Sequence, residues 1–275
     1  MNFVKNKLAY PIPAALLLSL LSWQLQAHRE VVKDGRPHYD RSKYYSTAGR
    51  GPFTFISRYT LTATTLQHPL VSEVTEAEDS TGRYFRAEKT FKFGSATDWT
   101  DQSTYLVEPP DGRVTILYST KWQEALKKPL LVTYGTRRQA LPHLLPENNC
   151  TSPERALTYL RNETLGIGEQ GYSTAVVRSK NEDSVQTSWF AMNPNLGCLE
   201  LKSMADYTQP DGTGTTVHEP ISLALGEPDA QLLDIADKIN ATAVEIVPFA
   251  DWNSVTKMRS EEYRREYQQR SFHAN

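Results

Sequence analysis

The stretch from Gly171 to Asp229 constrains the fold more than any other part of the chain. Its runs GYSTAVV, VQTSWFAMNPNLGCLEL and HEPISLALGEPD alternate apolar and polar residues between polar turns. Side chains of an extended backbone point to opposite faces in turn, so this period of two describes half-buried strands and not helices. Val185, Thr187, Trp189 and Ala191 fall on one face, which should be buried, and Gln186, Ser188 and Phe190 on the other. Asn193, Pro194, Asn195 and Gly197 follow, residue types that favour a reversal through local hydrogen bonding, a fixed φ or access to positive φ. Leu199 and Leu201 then share a face opposite Cys198 and Glu200, and Val217, Ile221, Leu223 and Leu225 repeat the pattern. An antiparallel meander accommodates all of these runs.

The same period appears upstream. Phe53, Phe55, Tyr59, Leu61 and Ala63 alternate with Thr54, Arg58, Thr60, Thr62 and Thr64, which marks the first core strand. Strand-like runs continue through 83–93 and 103–107, and the Pro109-Pro110-Asp111-Gly112 turn feeds Val114, Ile116 and Tyr118 into a hairpin partner. Residues 121–146 show no single period. Helices are expected over 152–161, where Ser152 can cap and Pro153 suits the first helical position, and over 229–239. A charged helical segment with Tyr263 and Tyr267 one turn apart should close the chain. The fold class that follows is mainly β (α+β): an antiparallel sheet of seven to ten strands with two or three short helices.

The amino terminus carries Lys5 and Lys7, an apolar stretch from Ala14 to Leu21, and small Ala27 where a signal peptidase would cut. That is the layout of a secretory signal over residues 1–27, with an apolar core too short to span a bilayer; an uncleaved anchor is the alternative. Residues 28–51 contain almost no aliphatic side chains and read as a flexible lead-in. Residues 52–250 then form a single β-rich domain and 251–275 a charged helical tail. The mature chain, of roughly 250 residues, is long enough to bury a substantial core.

Cys150 and Cys198 are an even pair in a chain addressed to an oxidising compartment, so a disulfide is the leading reading and two buried thiols the alternative. Closing that loop of about 50 positions stabilises a fold by about 4 kcal/mol on a chain-entropy estimate. The formal charge of −2 is spread along the chain, which gives no electrostatic footprint for nucleic acid.

Chemistry-bearing motifs are sparse. Gly166, Gly168 and Gly171 have the G-x-G-x-x-G spacing of a phosphate loop, but the residues that follow are strand-like, so no helix terminus would face a phosphate. His218 and Glu219 are adjacent in a strand pattern and point to opposite faces, which keeps them from gripping one metal. There is no G-x-S-x-G nucleophile elbow and no H-E-x-x-H. Asn149, Asn162 and Asn240 stand in N-x-[ST] sequons, which matter only in a host that glycosylates exported chains. Neither catalytic residues nor a cofactor or metal site are expected. Trp189 and Phe190 are candidates to line an apolar hollow, with core packing as their other use.

Gly171-Tyr172 entering a strand, Trp189-Phe190 in the next, Leu196-Gly197-Cys198 after it, and Leu225-Gly226-Glu227-Pro228-Asp229-Ala230 together resemble the carboxy-terminal half of a group of uncharacterised bacterial exported proteins. Those look like distant relatives of the LolA, LolB and RseB carriers and sensors of the cell envelope. The resemblance covers about residues 165–240. It implies a strongly curved antiparallel sheet, a LolA-like incomplete barrel with helices over its open side, an apolar hollow between them, and a lipid or lipoprotein ligand without catalytic residues. The chain departs from the pattern after Asp229, where Leu232, Leu233, Asp234, Ile235, Ala236 and Asp237 replace an aromatic residue and a Pro-containing segment.

The expectation is a non-catalytic periplasmic or secreted envelope protein, with no membrane span once the signal is removed, holding a lipid or lipid-bearing partner in the concave face of its sheet. A secreted hydrolase whose site assembles only in the fold is one alternative. A structural or adaptor module is the other.

Overall fold

Alternation of apolar and polar side chains produces strands along most of the chain. The computed structural model describes residues 51–66, 68–91, 99–108, 112–136, 157–180, 182–197, 199–209 and 212–273. These form one open, curved, twelve-stranded sheet. The signal segment, the lead-in up to residue 50, Cys150 and Cys198 lie outside the described residues.

A first meander runs β1 (Phe53–Ala63), β2 (Leu70–Glu78), β3 (Tyr84–Phe91), β4 (Trp99–Glu108), β5 (Arg113–Thr120) and β6 (Leu130–Thr136), each strand antiparallel to its predecessor. A second runs β7 (Leu157–Ile167), β8 (Gln170–Lys180), β9 (Ser184–Ala191), β10 (Glu200–Gln209) and β11 (Gly212–Leu225). The chain therefore passes from β6 at one side of the sheet to β7 at the opposite edge and works back until β11 pairs with β1. A short β12 (Val244–Ile246) adds in parallel outside β6.

Curvature is visible in one bond. Tyr172 on β8 donates its hydroxyl to the carbonyl oxygen of Leu223 on β11 at 3.1 Å, although β9 and β10 lie between these strands. In a flat sheet the two would stand roughly 14 Å apart, beyond the reach of a tyrosine. Phe53 and Phe55 of β1 pack with Ile167, Tyr172, Leu196, Leu199 and Leu201. The face that carries Phe55 is thus the inner face of the bend.

Helices cover both sides of the first meander. On the inner face, Tyr84, Tyr105, Val114, Ile116 and Leu131 pack under Val247 and Trp252, where the long α4 (Trp252–His273) begins. On the outer face, Phe85, Leu106, Leu117 and Val132 receive Leu233 and Ile235. Those two residues belong to α2 (Ala230–Leu233) and α3 (Ile235–Ala241), capped by Asp229 and Asp234, whose carboxylates accept from the amides of Gln231 and Asp237. The first short helix, α1 (Lys121–Ala125), is capped by Thr120 and packs Trp122 against Tyr263 of α4. Lys128–Glu266 and Arg259–Glu245 ion pairs, both at 3.0 Å, fasten α4 to the rest of the chain. Among the described residues no helix is long and apolar enough to cross a membrane.

Three local expectations change. Leu157 to Arg161 belong to strand β7 and not to a helix, residues 152–156 lying outside the described part. An isolated ten-residue helix is marginal, whereas pairing along β8 satisfies an eleven-residue strand. Val185 is exposed instead of buried, and the residues from Ser188 to Ala191 are buried on both faces, because only that end of β9 runs beneath covering chain. The G-x-G-x-x-G triplet forms a tight hairpin: Gly166 opposes Gly171 in the β7–β8 ladder, and Gly168, at φ 60°, makes the turn that only glycine adopts freely.

Candidate functional site

Residues directly opposed in a ladder share a face, so the register places the inner side chains in rows. One row crosses from Leu223 through Phe55, Glu76, Arg86 and Tyr105 to Ile116. A parallel row, four residues along β1, sets Tyr59 opposite His218 and His218 opposite Ser203. Apolar residues hold the ends of this inner surface, and charged and phenolic side chains occupy its middle.

His218 is the centre. Its ring lies flat against Tyr59, with centroids 4.1 Å apart and planes 1° from parallel, and Phe55 meets it edge-on at 6.0 Å. Nδ1 of His218 stands 3.6 Å from Oε1 of Glu200, longer than a hydrogen bond. The other oxygen of Glu200 accepts from Nε2 of Gln186 at 3.2 Å. His218 is 1% exposed, yet neither ring nitrogen has a hydrogen-bond partner among the described residues. Ser57, on the same face of β1 and fully buried, likewise leaves its hydroxyl without a partner. Buried polar groups almost always find partners, so three unmatched atoms at neighbouring positions are unusual.

Beside them lies an ion cluster. Arg86 sits between Glu76, at 3.6 Å, and Glu88, at 3.5 Å, and the Tyr84 hydroxyl donates to Glu76. Burial, reinforced by Glu76, holds the Tyr84 phenol well above its ordinary value. Tyr59 is raised too, by burial first and then by the Glu200 carboxylate, and Tyr105 by burial, against the pull of Arg86. Burial opposes the charge on Arg86, but Tyr105 and Glu76 facing it more than compensate. The cluster sets three carboxylates, those of Glu76, Glu88 and Glu200, against one guanidinium.

The proposed lining pair is split by the strand. Phe190 opposes Glu200 and Ala175, whereas Trp189 opposes Lys202 and Val176 on the other face, with the lysine Nζ 5.3 Å from its ring centre. Phe190 therefore lies on the face of Glu200, and Trp189 on that of Tyr172 and Ala191, which belong to the Phe55 cluster. Glu219 is exposed on the face away from His218, as the alternation required. Sequence reasoning weighed His218 only as a metal ligand beside Glu219 and gave Tyr59 and Glu200 no site role, because each is isolated in the chain; the available signal was polar Ser57 sitting in line with Phe53, Phe55 and Tyr59. Among the described residues no group of three or more His, Cys, Asp or Glu side chains could hold a metal ion.

No family model matches the sequence, and no curated protein matches it. Solved structures resemble its fold. A structure of PNGF-II aligns over 74% of this chain at 11% identity and a TM-score of 0.37, and this chain spans about a third, 32%, of that protein. A DUF1329 family protein from Desulfovibrio piger aligns over 70% of this chain and 92% of its own at 7% identity, TM-score 0.34. A LolA superfamily protein from Nitrosomonas europaea aligns over 71% and 96% at 8% identity, TM-score 0.32. At these TM-scores the likenesses say nothing of what this chain binds.

Proposed function

We propose that this is a non-catalytic binding protein of the bacterial envelope, exported by its first 27 residues, that holds a lipid, another apolar ligand or a lipid-bearing partner against the inner face of its sheet. One observation carries the reading: Phe53, Phe55, Tyr59, Tyr84 and Tyr105 line a single face of a bent sheet around a polar centre. Aromatic walls with a few placed polar groups are the common make-up of small-molecule sites. Phe190 extends that wall beside Glu200. A Cys150–Cys198 bond would fasten the segment between β6 and β7 to the turn before β10.

The hydrolase alternative has His218 beside Glu200 and opposite Ser203 in its favour. Nucleophilic catalysis needs the hydroxyl within hydrogen-bond reach of its base, and neither nitrogen of His218 bonds Ser203 or any other described residue. Native mass spectrometry of the gently extracted protein, followed by a lipid panel, tests the binding reading. Co-purified or captured lipid is the expected result; a chain that carries none and gains none overturns it.

A further inference from the structure

We infer that the Ser57–His218–Glu200 corner of the inner face is a head-group site for the primary ammonium of an amphiphile. The inference rests on the apolar-ligand reading above and gives it a chemical class. Three features select that class. Glu200 meets no lysine or arginine within ion-pair distance among the described residues, since Arg86 is engaged by Glu76 and Glu88. Unmatched atoms stand close by: a ring nitrogen of His218 beside Glu200, and the hydroxyl oxygen of Ser57 two residues along β1 from Tyr59, His218's stacking partner; an imidazole nitrogen and a hydroxyl oxygen can both accept hydrogen bonds. A primary ammonium brings three donors and no acceptor, so a carboxylate, an imidazole nitrogen and a hydroxyl oxygen match it one for one.

The surrounding walls point the same way. The stacked Tyr59 ring and the edge-on Phe55 ring flank His218, and aromatic faces attract ammonium groups. A phosphate would instead confront Glu76, Glu88 and Glu200 with the lone guanidinium already taken. Access is past Glu200, whose side chain keeps 21% of its surface exposed while His218 is closed off.

Calorimetric titration of the purified mature chain at pH 7 tests this with four single-chain probes below their micelle concentrations: dodecylamine, dodecyltrimethylammonium, dodecanol and dodecyl phosphate. Dodecylamine should bind at least tenfold tighter than each of the other three. Glu200→Gln and, independently, Ser57→Ala should remove most of that preference and leave dodecanol affinity within twofold, with unchanged circular dichroism showing that both variants fold. Equal binding of dodecylamine and dodecanol, equal binding of the trimethylated probe, or variants that retain the preference would each overturn the ammonium site while leaving the apolar-ligand reading standing. If no alkyl probe binds, the underlying reading falls with it.

Discussion

Tyr59 and His218 face each other across the β1–β11 seam with their rings parallel and 4.1 Å apart, and no hydrogen bond from the described residues ties the imidazole in place. Among the described residues, ring packing and the nearby Glu200 carboxylate hold the histidine. A buried polar group without partners destabilises a fold, and an apolar replacement of similar shape removes that penalty. His218→Phe should therefore unfold at equal or higher urea concentration than the parent, with a gain of up to about 2 kcal/mol. A loss of stability instead would show the imidazole to be a structural element.

Arg86 behaves differently, because removing it strands Glu76, which is 6% exposed, without its cation. Breaking a buried ion pair on one side costs about 3–5 kcal/mol, whereas replacing both partners by apolar residues is often neutral. Arg86→Met should lower the unfolding midpoint sharply, and Arg86→Met combined with Glu76→Leu should recover most of the loss. Chemical denaturation of the three proteins measures the difference.

The buried phenols set an alkaline limit. Tyr59, Tyr84 and Tyr105 have folded values raised above their ordinary value of 10.0, chiefly by burial. A raised folded value gives stability that is complete below the unfolded value and declines as pH climbs above it. The melting temperature should hold up to about pH 10 and then drop steadily. Absorbance near 295 nm should show these tyrosines ionising only together with unfolding. Early, reversible ionisation of every tyrosine would contradict the burial.

Trp252 starts α4 and closes the inner face over Tyr84, Tyr105 and Tyr118, meeting the last edge-on at 6.4 Å. Trp252→Ala should destabilise by about 3–5 kcal/mol, as large-to-small changes in a core do. Tyr267→Ala, on an exposed turn of the same helix, should change stability by less than about 0.5 kcal/mol. Thermal melts of the pair separate docking of the helix from its mere presence.

The proposed Cys150–Cys198 bond should be visible as the absence of reactive thiols in denatured, unreduced protein. Reduction should then lower stability by up to about 4 kcal/mol. Two titratable thiols in the natively purified protein would remove the crosslink from the account.

Strand content and the chain reversals were legible because period-two alternation is a local property: Phe53 and Phe55 point inward, His218 and Glu219 to opposite sides. The helix expected over 229–239 is present as two, α2 and α3, because the Asp229 and Asp234 carboxylates each cap a separate start. The order of strands was not legible, since nothing near Tyr59 specifies a partner 159 positions away, and register alone brings His218 to it. For the same reason the inner surface was expected to be apolar. Glu76, Arg86 and Glu200 each look like ordinary solvent-facing residues until the ladders place them on one face. The helix at 152–161 was over-read from a capping signal, because the competing β7–β8 ladder depends on residues downstream of it.

The return of β11 to β1 joins segments far apart in the chain, with Thr64 bonded to Thr213 across 149 positions. Each meander can zip up from neighbouring hairpins, but this closure has to wait for the last strand and carries the largest loop-closure entropy. Until the last strand is made, the amino-terminal half therefore has one flank of β1 unpaired, a sticky strand border open to mispairing. Folding speed should be governed by how quickly residues 212–225 arrive to cover it.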